Sequence, residues 1–271
     1  MHRRIVFFVL AMAVVFAATA QTLYVPAAAN AEGANQTQWR TDLQVKAQGG
    51  EAAAFTLELL ESRTNNSDPM SLEYSVAAGE SKRLGNVLEA AFGYSGTAAL
   101  RITATEGRIT ATSRTYNDDP AGTYGQTVPA VEVENGVGVE GQSTLILLSR
   151  SPDPSIGFRT NLGLVNLTDS TIAIEIDVFN ADGTAIGTLF KNLKPFEHRQ
   201  FNDVFDMVGA GDVADGYAVV RTSTEDGSFL AYASVVDNGS GDAVFILGSV
   251  DLIPAPAAER LVVLESFMRP G

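Results

Sequence analysis

The side chains that most often carry out chemistry are scarce in this chain of 271 residues, which contains no cysteine and two histidines, His2 and His198. Without cysteine there are no disulfides, thiolate metal sites or thiol nucleophiles. A histidine metal centre or a Ser-His-Asp triad would depend on His198. His198 lies in the charged segment 196–200, and the corresponding segment 79–83 of the repeat described below has no histidine. We therefore predict that His198 is a surface residue.

Acidic residues are abundant, with 32 Asp and Glu against 18 Lys and Arg and a formal net charge of -14. A glycoside hydrolase needs only two carboxylates about 5 to 10 Å apart. Among so many acids nothing singles out one pair, and the sequence has no G-x-S-x-G, Walker A or H-E-x-x-H motif. We therefore expect a protein that is not an enzyme. The negative charge also disfavours binding to nucleic acid or to anionic membranes.

Calcium is the cofactor for which the sequence offers candidate ligands. Asp237, Asn238 and Asp242 surround two glycines, and hard oxygen ligands on glycine-bent loops suit Ca²⁺. A second such group is Asp177, Asn180 and Asp182. Neither loop matches an EF-hand, and Asp-Gly and Asn-Gly also form ordinary hairpin turns. The turn interpretation is the simpler one, so no cofactor is required.

Aromatic side chains give a second set of candidate binding residues. Tyr116 and Tyr124, predicted on loops or strand ends, are candidates for stacking on a sugar ring. Trp39, the only tryptophan, could stack in the same way. Phe158 occupies the equivalent position of the repeat, however, and a large aromatic kept in phase with the buried leucines is typical of a core residue. We therefore predict that Trp39 and Phe158 lie in the core.

These residues are positioned by a sequence that repeats after 119 residues. The segment 39–43 (WRTDL) returns as 158–162 (FRTNL), and apolar residues alternate with polar ones along both 55–59 and 174–178. Strict alternation is the mark of a strand with one buried face. Further strands are predicted at 72–76, 100–105, 109–116, 186–190, 217–222 and 229–236. A repeat of this length is one globular unit, too long for a solenoid.

One short helix interrupts the strands of each unit. The first follows Asn86 and ends before Gly93, and the second follows Asp203 and ends before Gly209. Asn and Asp side chains accept hydrogen bonds from the first backbone N–H groups of a helix, and glycine adopts the left-handed conformation that ends one. Short strands separated by turn residues predict an all-β fold of two tandem immunoglobulin-like antiparallel β-sandwich domains, each with one short helix.

The remaining segments set the predicted boundaries. Residues 1–20 have a basic start, an apolar stretch and small residues before the cleavage point, as in a secretory signal peptide. We predict β-sandwich domains at 21–130 and 144–254, a glycine-rich linker at 131–143 and an unmatched tail at 255–271. A later cleavage after Ala31 would remove the first strand, because Leu23–Pro26 aligns with Leu145–Leu148.

The paired W/F-R-T-[DN]-L strands, the N-[DN]-V-[LF] helices and the hairpins ending in S-R-T-Y-N or S-V-V-D-N resemble uncharacterised bacterial secreted proteins with tandem immunoglobulin-like sandwich units. The resemblance covers about residues 22 to 253. It implies an exported bacterial protein and transfers no functional residues.

The sequence therefore favours a non-enzymatic secreted, cell-surface or periplasmic protein with a structural, adhesion or assembly role. Its partner would be a protein or glycan at the cell exterior, with no stable membrane insertion once the leader is cleaved. Self-association through the tail is possible by strand addition. The alternatives are a soluble carbohydrate-binding module and, less favoured, a carboxylate-dependent glycoside hydrolase. Recognition is expected where the two copies differ.

Overall fold

The computed structural model describes residues 20–33, 37–120 and 122–252. Of the predicted leader only Ala20 is included, and the predicted tail 255–271 lies outside the described residues. In the part of the chain that is described, no helix is long and apolar enough to cross a bilayer.

The described residues of the first half form nine strands arranged in two layers. They are β1 (Thr22–Glu32), β2 (Gln38–Ala47), β3 (Ala53–Glu61), β4 (Ser71–Val76), β5 (Ser81–Leu84), β6 (Gly96–Glu106), β7 (Ile109–Asp119), β8 (Gly122–Pro129) and β9 (Val131–Glu132). One layer has the order β4-β3-β6-β1-β9 and the other β5-β2-β7-β8. Strand β1 belongs to both, because its main part pairs with β6 and its last two residues pair with β2.

The second half repeats this arrangement with separate sheets. Its strands are β10 (Gly141–Arg150), β11 (Phe158–Asn166), β12 (Ile172–Phe179), β13 (Ala185–Leu193), β14 (His198–Phe201), β15 (Val213–Thr222), β16 (Phe229–Asp237), β17 (Ala243–Leu247) and β18 (Ser249–Leu252). The sheet orders are β13-β12-β15-β10-β18 and β14-β11-β16-β17. All strand pairs of these sheets are antiparallel, so the predicted all-β sandwich architecture is confirmed.

The alternating segments supply the cores. In β3, Phe55, Leu57 and Leu59 are buried, and the aligned residues of β12 are buried in the same phase. Each segment lies between two partner strands, with Leu57 opposite Ile102 and Ile176 opposite Val220. A central strand with one face toward the opposite layer requires this period-two pattern.

Strands β1 and β10 carry a bulge at the same place. The register shifts after Val25 in β1 and after Leu145 in β10. Val25 and Leu145 are therefore equivalent, and the predicted alignment of these strands was wrong by two residues. In β10 the bulge leaves Ile146 and Leu147 exposed, and Leu147 has φ 62, a left-handed backbone that is unfavourable for leucine.

The first predicted helix is confirmed as α1 (Val87–Phe92), ending at Gly93 with φ 60. Its predicted side-chain cap is wrong. Asn86 has φ 41, and its side-chain oxygen, the atom that would cap the helix, accepts no hydrogen bond within the described residues. Its N–H donates to Asp42 and its amide nitrogen donates to Asn30.

The second predicted helix is shorter than expected. Val204 and Phe205 are buried in a turn, and only Asp206–Val208 form a 3₁₀ helix, which ends at Gly209. Its N-cap position is Phe205, without a side-chain cap, and Asp203 accepts a hydrogen bond from the N–H of Asp206 at 3.4 Å.

The predicted linker 131–143 is built into both halves. Val131 pairs with Tyr24 as part of β9, a 3₁₀ turn covers Val133–Asn135, and Val137 forms a bridge with Phe229 of the second half. Both of these valines are buried.

Candidate functional site

One concave site is a cleft of about 350 Å³ between the two halves. Its second-half wall is the outer face of the β14-β11-β16 sheet, which carries Arg159, Asn161, Gln200 and Tyr232. The facing wall comes from the first half and consists of small residues of β1 together with Trp39 and Gln126. The repeat therefore positions this cleft by placing two sandwiches side by side.

His198 lies beneath the cleft and is 1 % exposed, so the prediction of a surface histidine is wrong. Its Nδ1 lies 2.5 Å from Oγ of Ser62 in the first half. Its Nε2 lies 2.8 Å from the hydroxyl of Tyr232, which donates to Oε1 of Gln200 at 3.2 Å. Both polar ends of the imidazole are therefore satisfied inside the protein, which offsets the cost of burying it.

Burial controls the ionisation of this network. It lowers the pKa of His198 to about 3 and raises the pKa of Tyr232. Both effects have the same cause, because an apolar environment disfavours the charged form of either side chain. At neutral pH His198 is an uncharged hydrogen-bonding group that joins the two halves. Its charged neighbours in sequence, Glu197 just before the strand and Arg199 within it, pair with each other at 3.4 Å.

A glycine makes room for Tyr232. A Cβ atom at Gly163 would lie 1.9 Å from the Tyr232 ring, so any other residue there would displace the tyrosine. The strand registers make Gly163 equivalent to Gln44 and Tyr232 equivalent to Thr112. The outer face of the second half thus differs from that of the first where it packs against the first.

Two loops add direct bonds between the halves. The N–H of Arg63 donates to the carbonyl of His198 at 2.9 Å, and the amide of Asn66 donates to the carbonyl of Phe196 at 2.9 Å. The guanidinium of Arg101, which is paired with Glu58, lies 4.4 Å from the ring centroid of Phe196. A cation over a ring face is attracted to the ring quadrupole, so this contact also ties the halves together.

An apolar cluster completes the connection. Its buried members are Tyr24, Leu60, Ala99 and Val131 from the first half and Val165, Leu167 and Leu230 from the second. Tyr232 belongs in turn to the core of the first half. Apolar burial on both sides of the junction holds the two sandwiches in one arrangement.

Arg159 and Arg40 occupy equivalent positions with different partners. Arg40 Nη1 pairs with the carboxylate of Asp118 at 2.8 Å on the outer face of the first half. Arg159 Nη1 donates instead to the amide oxygen of Asn238, also at 2.8 Å. The registers place Asn238 where the first half has Asp118. The second half has therefore replaced an ion pair with a charged group facing an amide.

Trp39 and Phe158 are not core residues, so that prediction is wrong. Phe158 is 45 % exposed, and Trp39 is half-buried against the cleft. Both side chains point to the same face of their strands as the core residues, but the first buried residue of each strand is the threonine two positions later, Thr41 or Thr160. The aromatic rings therefore lie where each sandwich opens.

The candidate calcium residues at 237–242 form a hydrogen-bonded turn. Oδ1 of Asp237 accepts from the N–H and hydroxyl of Ser240, and these bonds lower its pKa. The Asn238 oxygen accepts from Arg159, and Asp242 accepts from the N–H of Ala243. In the second candidate group, Asp177 pairs with Arg221 at 2.7 Å, whereas Asp182 accepts a hydrogen bond from the N–H of Thr184.

Within the described ranges there is no group of three or more His, Asp or Glu side chains that could hold a metal ion. The calcium candidates, which include Asn, remain a prediction.

The two candidate tyrosines lie on neighbouring strands but on opposite faces of their sheet. Tyr116 pairs with Gly125, and Tyr124 pairs with Asn117. Directly paired residues share a face and successive residues alternate, so one sugar ring cannot stack on both tyrosines. Tyr116 lies 5.0 Å from the Arg114 guanidinium.

Sequence reasoning missed the cleft because its residues are far apart in the chain and alternate with core positions. A signal was present in the differences between the copies at equivalent strand positions: Gly163 against Gln44, Tyr232 against Thr112, and Asn238 against Asp118. We expected recognition where the two copies differ, but we looked for those differences in the loops, the linker and the tail and not on the faces of the strands.

Comparison with protein-family models and with curated proteins gives no match. Among solved structures, the chain is similar to the one described as the crystal structure of Thermotoga maritima 1070, with a TM-score of 0.33 and 11% identity. The similarity covers 41% of this chain and 93% of that chain. The function is therefore argued from the surfaces of this chain.

Proposed function

We propose that this is a non-enzymatic exported protein with a structural, adhesion or assembly role, in which two linked sandwiches form one unit and the last strand binds a partner copy. The observation that carries the proposal is the state of β18. All four of its residues are exposed, and among the strands of residues 20–33, 37–120 and 122–252 it pairs with β10 alone.

The equivalent strand of the first half is covered. Val131 in β9 is 7 % exposed, whereas Ser249, its counterpart in β18 by strand register, is exposed. The two apolar residues that follow it in β18, Val250 and Leu252, are 52 % and 79 % exposed. Val131 is buried because the second half packs over it in the shared apolar cluster. An uncovered apolar edge strand is a template for strand addition.

The chain itself supplies a candidate occupant. Residues 253–271 follow β18 directly in sequence and contain Leu261-Val262-Val263-Leu264, a short run with high strand propensity. We propose that this segment adds a strand to the β18 edge of a second copy. Backbone hydrogen bonds along the edge would supply affinity, and Val250 and Leu252 would add apolar contact.

The test is the oligomeric state, measured by size-exclusion chromatography with light scattering. We expect the chain without its leader to self-associate with rising concentration, and a chain ending at Ile253 to remain monomeric. Val250→Lys, which places a charge on an exposed edge, is expected to weaken self-association about tenfold or more.

Phe190→Lys is the matched control, because Phe190 is 69 % exposed on β13, at the opposite edge of the same sheet. It should leave association unchanged. A strict monomer at high concentration, or equal loss with both lysine variants, would contradict the assembly role.

A soluble carbohydrate-binding module is the second candidate function. The observation that favours it is the cleft, where Trp39 stands beside the amide side chains of Gln126, Asn161 and Gln200. Indole rings stack on apolar faces, and amides bond hydroxyls in both directions. On a glycan array we expect Trp39→Ala to lose signal and Tyr124→Ala to retain it; the opposite pattern would argue against the cleft.

A further inference from the structure

We infer that the cleft between the halves recognises the carboxylate of an acidic sugar, a uronate, and that Arg159 is the residue that contacts the carboxylate. This inference rests on the carbohydrate-binding candidate above and names its substrate class. It is independent of the assembly role of β18.

Arg159 is the half-buried arginine of the described residues that has no carboxylate within 4.0 Å. The other arginines of comparable burial all have one, and the pairs are Arg101 with Glu58, Arg150 with Asp203 and Asp206, Arg199 with Glu197, and Arg221 with Asp177. In a chain with 32 acidic residues, a partly desolvated guanidinium facing an amide is a costly arrangement.

The amide partner is held in a fixed orientation. The Asn238 side chain is buried, and its nitrogen donates to the carbonyls of Asp153 and Ile156 at 3.3 and 3.0 Å. Its oxygen is therefore the atom presented to Arg159. The first half shows that an aspartate fits the equivalent place, because Asp118 pairs with Arg40 there. The asparagine leaves the charge of Arg159 available to a ligand.

The two carboxylates that act electrostatically on Arg159 are already engaged. Asp203 accepts from Nε of Arg150 at 3.1 Å, and Asp237 accepts from Ser240. Burial lowers the pKa of Arg159 although both carboxylates oppose that shift. A guanidinium remains charged at neutral pH and binds carboxylates through two parallel N–H bonds. Glu32 lines the exposed rim of the same cleft.

The rest of the lining suits a sugar rather than a simple acid. Nε1 of Trp39, Nε2 of Gln126 and Nδ2 of Asn161 form no hydrogen bond within the described part of the chain, and all three residues line the cleft. A volume of about 350 Å³ lies at the small end of the range for ligand pockets. Unused donors around an indole ring and a guanidinium match a ring that carries hydroxyls and one carboxylate.

Trp39 is the only tryptophan, so its fluorescence reports directly on the cleft. The experiment titrates the chain without its leader with D-galacturonate and D-glucuronate, each beside its neutral hexose, and with acetate as a carboxylate that is not a sugar. We expect a saturable emission change with the uronates that weakens at high salt, and at least about tenfold weaker binding of the hexoses and of acetate.

Two variants and their matched controls locate the effect. Arg159→Gln removes the charge, and Asn238→Asp supplies an internal carboxylate, so each should weaken uronate binding about tenfold or more. Arg40→Gln and Asp118→Asn make the corresponding changes in the first half and should leave binding unchanged. Urea unfolding of each variant confirms that it is folded.

Equal binding of uronates and hexoses would overturn the carboxylate inference while supporting a carbohydrate function. Acetate binding as tight as uronate would overturn the sugar assignment. No response to any uronate, or a response unchanged in Asn238→Asp, would overturn the inference as a whole. None of these results alters the oligomeric state that tests the assembly role.

Discussion

Protonation of His198 should lower the free energy of unfolding of this protein at a pH where most of its carboxylates are still ionised. The imidazole is fully buried between the halves, and its pKa in the folded chain is about 3. In the unfolded chain a histidine has a pKa of about 6.5. The folded state therefore binds fewer protons, and the stability supplied by neutral His198 is complete above pH 6.5 and is lost as pH falls toward 3.

The size of the effect follows from the width of this window. One pKa unit corresponds to about 1.36 kcal/mol, so lowering the pH from 7.5 to 5.0 should reduce the free energy of unfolding by about 2 kcal/mol through this one residue. For a chain of this size that is a fall in Tm of roughly 4 to 8 °C. Ser62 and Tyr232 stay uncharged over the same range and do not offset it.

The assay is urea unfolding at pH 7.5 and 5.0 for the parent chain and for His198→Gln. The variant loses contacts with Ser62 or Tyr232 and should be less stable at pH 7.5, but the difference between the two pH values should shrink by about 2 kcal/mol. Since the other histidine, His2, lies in the predicted leader, an NMR titration of the imidazole follows His198 alone. An imidazole that titrates near pH 6.5 in the folded chain, or an equal acid loss in both proteins, would refute the reasoning.

Two further predictions concern backbone positions. Gly163→Ala should destabilise the chain by about 1 to 3 kcal/mol, because its Cβ would lie 1.9 Å from the Tyr232 ring, whereas Gly211→Ala, which meets nothing within 4 Å, should change stability by less than about 0.5 kcal/mol in urea unfolding. Leu147→Gly should raise the free energy of unfolding by up to about 1 kcal/mol, because glycine adopts the left-handed backbone at φ 62 without strain. Ile146→Gly, the control, should lower the free energy of unfolding by a similar amount. If both variants are less stable than the parent chain, the backbone of Leu147 is not strained.

Much of the fold could be read from local patterns. Alternating residues such as Leu57 and Ile176 predict strands with one buried face, and Gly93 and Gly209 mark the ends of the two short helical segments. These features depend on residues a few positions apart, where strand period and backbone conformation act directly. The capping role predicted for Asn86 was wrong, and the contacts that hold this residue come from Asp42 and Asn30, which are distant in sequence.

The candidate site could not be read in this way. His198 looks like a surface residue because its neighbours are charged, yet the strand turns its side chain toward Ser62, which is 136 residues away. Arg159 looks like a copy of Arg40, and only the strand register shows that Asn238 stands where the first half has Asp118.

The sequence by itself determined the all-β architecture and the repeat, and its lack of cysteine excluded disulfides and thiol chemistry. These conclusions rest on composition and on spacings along the chain, which need no tertiary contact. The tertiary structure decided which surface of the first half packs against which surface of the second. Packing one sandwich against the other buries His198 and Tyr232, covers Val131 while leaving its counterpart Ser249 exposed, and encloses Arg159 in a cleft. Such contacts arise from the docking of two surfaces, and no local pattern specifies which surfaces meet.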